Sequence, residues 1–222
     1  MKAKEHIYNL RDNLSVANSS LADKTDQHIM YMLDEARSIL ISRKVANRHN
    51  IDNMTQYFDT APMLGKNSDS AVLGCKEFIK VTTPKPVTLN RGIGILTVGG
   101  SDVRAIYAKI DYSRIRIYMH RKYTGNATAW IYENNSILIV NSLGGIMENV
   151  RVRGLFDEPH KVETLKGKVS LFDPFDFEYP LSLKDSNAVY DIAMAGDLSW
   201  GDISIQTIAK RNQEAANRAK NR

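Results

Sequence analysis

The segment Gly92-Ile93-Gly94-Ile95-Leu96-Thr97-Val98-Gly99-Gly100 is where this chain comes nearest to a phosphate cradle, since closely spaced glycines let backbone N–H groups approach an anion. The spacing does not suit that task. A dinucleotide fingerprint needs a third glycine where Thr97 stands and a helix after it, and a P-loop needs Gly-Lys-Ser/Thr where Gly100-Ser101-Asp102 stands. A strand and turn account for these glycines. The histidines His6, His28, His49, His120 and His160 form no HExxH or equivalent ligand pair, and His28 reads as a surface residue. Asp173, Asp176 and Glu178 are too sparse for a calcium loop, which needs denser oxygen donors and a set glycine; a solvated loop beside aromatic anchors is expected. Glu133 and Asp157-Glu158 could serve as acid and base, but nothing in the sequence brings them together. No serine or cysteine sits in a nucleophile elbow, and Cys75 has no evident base. The chain is therefore expected not to be an enzyme, with no catalytic residue, no metal and no cofactor.

Cations are the other chemistry on offer. Arg104, Lys109, Arg114, Arg116, Arg121 and Lys122 are interleaved with Tyr107, Tyr112, Tyr118 and Tyr123. Nucleic-acid surfaces use such mixtures, cations for phosphates and aromatics for stacking, while a solvent-facing strand surface of long charged side chains explains them equally. These six cations are the candidate DNA-facing residues, for transient, non-specific contact. The second cluster is terminal: Lys210, Arg211, Arg218, Lys220 and Arg222 face a single acid, Glu214, and account for most of the formal net charge of +5. With Ile203, Ile205 and Ile208 as apolar anchors, this stretch reads as a helical arm that docks on a partner.

The elements that would position these groups change texture along the chain. Ile7, Leu10 and Leu14 predict a first helix over residues 3–16. Thr25 or Asp26 caps a second, with Ile29, Leu33, Ala36, Leu40 and Ile41 in one stripe and Tyr31, Asp34, Glu35, Arg37 and Ser38 on the flanks and far side. The middle alternates with period two: 71–81, 93–97, 104–110, 114–119 and 146–152 read as strands. Its best hairpin is 127–132 and 136–140 around Asn134-Asn135, because asparagine tolerates left-handed backbone angles. Gly144-Gly145 is a further turn. Residues 155–183 read as irregular, pinned to the core by Phe172, Phe175, Phe177 and Tyr179. Asp185 caps a helix that stops at Gly196, and Asp202 caps the terminal one.

The fold class expected is α+β: an N-terminal helical hairpin, a central, mostly antiparallel sheet of five to seven strands, and C-terminal helices that join the helical layer. Residues 1–60 with 185–222 form that layer and 61–184 the β-rich domain, as two domains or one compact unit. Apolar residues at 43% and charged residues at 25% suffice for a core. One cysteine excludes an intrachain disulfide framework, and Cys75 is expected to be a buried, inert thiol. No signal-peptide core fits the first residues and no window approaches eighteen uninterrupted apolar residues, so an intracellular origin without membrane contact is expected.

The second helix, Thr25-Asp26-Gln27-His28-Ile29-Met30-Tyr31-Met32-Leu33-Asp34-Glu35-Ala36-Arg37-Ser38-Ile39-Leu40-Ile41, resembles the opening of many structural proteins of tailed phages. So does the passage Gly154-Leu155-Phe156-Asp157-Glu158-Pro159 that follows the β-rich middle. The closest group is the head-to-tail adaptor, or ring, proteins of short-tailed phages, particularly crAss-like phages. The resemblance implies a virion protein, assembled in the host cytoplasm, in a homo-oligomeric ring of twelve copies below the portal. It implies helices forming a collar against the portal, a β part facing the tail, and a C-terminal segment reaching into the portal. Portal protein and neighbouring tail or ring proteins are the implied partners, and the ring joins capsid to tail and lines a DNA channel. No catalytic residues carry over. The rival readings are a basic nucleic-acid-binding module, a later tail ring or tail-hub protein, and a hydrolase with a diffuse site.

Overall fold

The structure is a computed structural model and describes residues 1–17, 24–61, 63–64, 78–90, 92–100, 106–115, 128–140, 149–167, 169 and 173–200. In chain order these form helices α1 (Ala3–Ala17) and α2 (Asp26–Ala46), then strands β1 (Gln56–Thr60), β2 (Met63–Leu64), β3 (Ile79–Thr82), β4 (Thr88–Leu89), β5 (Gly92–Ile93), β6 (Ile95–Gly100) and β7 (Ala108–Lys109). The hairpin strands β8 (Ala129–Glu133) and β9 (Ser136–Val140) follow, then β10 (Val150–Gly154) and helices α3 (Pro159–Leu165) and α4 (Leu183–Trp200). The fold is α+β, with helices at the N-terminus and in the C-terminal region and antiparallel sheets between. The chain divides into two compact units, Met1–Asn53 with Leu181–Arg222, and Met54–Pro180.

In the helical unit, Ile7, Leu10 and Leu14 of α1 and Ile29, Leu33, Ala36, Leu40 and Ile41 of α2 are all buried, as their spacing predicts. Thr25 caps α2, its hydroxyl accepting the His28 backbone N–H at 3.3 Å. Asp26 in the first turn and Arg43 and Lys44 in the last complement the helix dipole. Tyr31 is exposed, but Asp34 and Arg37, expected on the outer side, are buried. The reason is coverage: α2 packs along both α1 and α4, so its enclosed arc is wider than one stripe. Asp185 does not cap α4 but lies inside its first turn, accepting from the Ser182 hydroxyl at 2.7 Å and pairing with Lys44 at 2.7 Å. Nor does α4 stop at Gly196; it continues to Trp200, since a single glycine costs a helix only about 1 kcal/mol relative to alanine.

The second unit is not one sheet. A three-stranded antiparallel sheet, β1-β10-β6, faces a five-stranded sheet, β2-β3-β9-β8-β7, in which only β7–β8 is parallel. Phe58, Val98, Val150 and Val152 of the first sheet pack against Ile79, Val81, Trp130, Ile137 and Ile139 of the second. Ile131 and Leu138, pointing the other way along the same strands, join a smaller cluster with Phe78 and Ile115. β9 is therefore buried at every position. The β8–β9 turn is the one predicted: Asn134 and Asn135 have φ of 48° and 54°, the left-handed pair of a two-residue hairpin turn.

Two expectations fail here for identifiable reasons. The alternation over 114–119 does not begin a strand: Tyr112–Arg114 is a 3-10 turn and Ile115 is helical, its side chain buried. Residues 116–119 lie outside the described residues, as do 71–77 with Cys75, Gly144-Gly145 and Phe172. Within the stretch read as irregular, α3 is a helix that buries Val162. Pro159 occupies its first turn, where a missing N–H costs nothing and the fixed φ suits a helix, so the residue taken as a loop signal is a helix start. Phe177 and Tyr179 are buried anchors, their rings 6.3 Å apart, as expected of that connection.

Candidate interaction surfaces

The glycine segment is built for strand contact. An added Cβ on Gly94 would lie 2.5 Å from the Leu155 carbonyl oxygen, so only glycine permits this approach. The Gly94 N–H donates to the Val87 carbonyl at 2.8 Å, and its carbonyl accepts the Leu155 N–H at 2.8 Å. The N–H that a phosphate would need at Gly94 is already spent on the protein. Among the described residues no group of three or more His, Cys, Asp or Glu side chains is gathered closely enough to hold a metal ion.

Of the six candidate DNA-facing cations, Lys109 and Arg114 fall within the described residues; Arg104, Arg116, Arg121 and Lys122 lie outside them. Both described cations are exposed. Lys109 holds its ammonium 5.5 Å from the centre of the Trp130 ring, and Arg114 lies 3.9 Å from Asp111 in the 3-10 turn. Ile203, Ile205, Ile208, Lys210, Arg211, Arg218, Lys220 and Arg222 of the expected docking arm all lie outside the described residues. Asp202 and His120 do too.

A different basic and aromatic cluster stands on the outer face of the three-stranded sheet. Antiparallel register sets Tyr57 of β1 opposite Arg153 of β10, and Asp59 opposite Arg151. Phe58, Val150 and Val152 point into the core, so these four side chains point out. Arg151 forks onto Asp59 through Nε at 2.7 Å and a terminal nitrogen at 2.8 Å. That hydrogen bonding outweighs burial and holds the Asp59 carboxyl below its ordinary pKa. The Arg151 guanidinium also lies 5.8 Å from the Tyr57 ring centre, diagonally across the ladder. Lys166, just past α3, reaches the same ring at 4.8 Å while pairing with Glu163 at 2.7 Å. Arg153 adds a hydrogen bond to the Thr55 hydroxyl at 3.4 Å. Tyr57 is 56% exposed between these cations, and Leu165 beside Lys166 is 49% exposed. Sequence reading passed over this cluster. Its signal was the alternation Val150-Arg151-Val152-Arg153, which marks an outer basic face but not the strand that lies beside it.

No curated protein matches the chain. Residues 5–217, nearly its whole length, match the family model described as phage tail ring protein 2. The chain belongs to the phage tail ring protein 2 family. This tail ring protein of crAss-like phages is thus a structural component of the virion, one that assembles with other tail components. The resemblance carried by α2 and by Gly154–Pro159 led to the right group of phage ring proteins. A structural role agrees with the character of the clusters above, where charges are paired with each other or stacked on rings. Among the described residues no helix is long and apolar enough to cross a membrane.

Proposed function

We propose that copies of this chain close into a ring of twelve around the tail axis, below the portal, joining capsid to tail and leaving a channel for DNA. The family match over residues 5–217 carries this reading. The work is mechanical: subunits pack side by side, match the symmetry of the ring above and contact passing DNA transiently and without sequence preference. No step requires catalysis. Cyclic closure follows when one face of a subunit meets a different face of the next and the rotation closes. Basic residues between Arg104 and Lys122 are the candidate channel lining, and the cationic stretch 203–222 is the candidate arm toward the portal. The family's description as a tail ring favours one further reading, a position deeper in the tail than the first ring under the portal.

Imaging of purified virions tests both. The chain should appear as a ring on the axis, and its neighbours on either side distinguish a portal-contacting ring from a later one. Finding one copy per virion, or none, rejects the ring.

A further inference from the structure

We infer that the Tyr57 face of the three-stranded sheet is the seat for a second copy of this chain, which presents to it the acidic turn Asp173–Glu178. The inference rests on the ring reading and adds to it a subunit contact.

The seat has the make-up of an interface centre rather than of a solvated strand. Tyr57 is a large, half-exposed ring held between the Arg151 and Lys166 cations at 5.8 and 4.8 Å. Its position is ordered before any partner arrives, so docking costs little side-chain entropy. Tyr and Arg are the residues that most often carry binding energy at protein interfaces, and Leu165 extends the patch with exposed apolar surface.

A protein suits this seat better than DNA does. The Arg151 fork is occupied by Asp59 and the Lys166 ammonium by Glu163. A phosphate would have to approach two carboxylates and break those pairs. A protein segment can rest on the ring and add a carboxylate at the rim, leaving the built-in pairs in place.

The same unit carries the complement. Phe177 and Tyr179 are buried and Glu178 between them is exposed, so the segment 173–179 is anchored with its acid outward. The turn before it is closed by hydrogen bonds from the Phe175 and Asp176 N–H groups to the Asp173 carboxylate and carbonyl, both at 3.3 Å. It bears Asp173, Asp176 and Glu178 with no cation, beside an exposed Pro174 and a half-buried Phe175. The seat, with Arg151, Arg153 and Lys166 against Asp59 and Glu163, is net positive. Two different, complementary patches on one subunit are what a head-to-tail contact requires, and head-to-tail contacts are what close rings.

The experiment uses two exposed substitutions, Tyr57→Ala in the seat and Glu178→Arg in the turn, followed by analytical ultracentrifugation at concentrations where the wild type forms rings. Each variant alone should sediment as a monomer. An equimolar mixture should form dimers and nothing larger, because only one seat and one turn remain compatible between them. Circular dichroism should show wild-type melting for both. If Tyr57→Ala lowers the melting temperature, Leu165→Glu probes the same seat from the exposed end of α3. Rings that persist in either variant, or a mixture that stays monomeric, overturn the assigned contact and leave the ring reading standing. Intact rings of Tyr57→Ala that no longer retain duplex DNA overturn it in favour of a nucleic-acid surface. A wild type that forms no ring at any concentration overturns both.

Discussion

His6 and Tyr190 are 184 residues apart in sequence and meet by a 2.7 Å hydrogen bond between the imidazole Nδ1 and the phenol hydroxyl. The bond ties α1 to α4, and the His6 side chain has no exposed surface. Burial pushes the His6 pKa from 6.5 down to about 4. The unfolded chain therefore takes up its proton first as the pH falls. Stability conferred by the neutral imidazole is full above pH 6.5, declines between 6.5 and about 4, and is level below that. The loss amounts to roughly 3 kcal/mol, from about 1.4 kcal/mol per pKa unit. Thermal melts followed by the helical signal should show this decline in the wild type and a flatter profile in His6→Gln. Parallel profiles would assign the acid sensitivity to other groups.

Gly94→Ala should destabilise the β-rich unit by about 2–3 kcal/mol, in the range of an overpacked core. Its Cβ would meet the Leu155 and Val87 carbonyl oxygens at 2.5 and 3.0 Å, and backbone cannot rotate away as a side chain can. Gly167→Asn is the contrast. Gly167 has φ +68° with nothing within 4 Å of an added Cβ, and asparagine tolerates that angle, so the cost should stay below about 1 kcal/mol. Urea denaturation of the two variants measures the difference; equal midpoints would refute the steric account.

Leu33→Asp should prevent folding of the helical unit rather than only its assembly. Leu33 is fully buried in the stripe between Ile29 and Ala36. An unpaired carboxylate there costs several kcal/mol, comparable to the whole stability margin of a small domain. Soluble yield and circular dichroism report the outcome. A soluble variant with the wild-type melting temperature would show that this stripe is dispensable to the fold.

Removing residues 203–222 should leave the β-rich unit folded and abolish docking onto the portal. The removed sequence has Ile203, Ile205 and Ile208 as its large apolar anchors and otherwise offers cations and alanines, which suit an acidic cleft on a partner. Circular dichroism checks the fold, and co-sedimentation with purified portal protein checks docking. Lost β signal would make the stretch part of the subunit's own structure. Undiminished docking would place the portal contact elsewhere.

The sequence by itself determined what depends on near neighbours. Spacings of three and four placed α1 and α2, Thr25 marked the start of α2, and Asn134-Asn135 marked the hairpin turn, because caps, turns and helical faces are settled within a few residues. The α2 sequence and the Gly154–Pro159 passage also sufficed to point to phage ring proteins. The candidate arm and four of the six candidate DNA-facing cations were legible as charge clusters in the sequence alone. Tertiary structure decided whatever depends on a distant neighbour. Asp34 and Arg37 are polar by sequence and buried because two other helices cover α2. Gly94 is a backbone contact rather than a ligand loop because Leu155, sixty-one positions away, presses against it. Tyr57 becomes the centre of a surface only because β10 lays Arg151 across its ring and α3 delivers Lys166 to it. Periodicity states which way a side chain points along its own strand; which strand lies beside it is set by burying the largest apolar area between both sheets, a property of the whole chain.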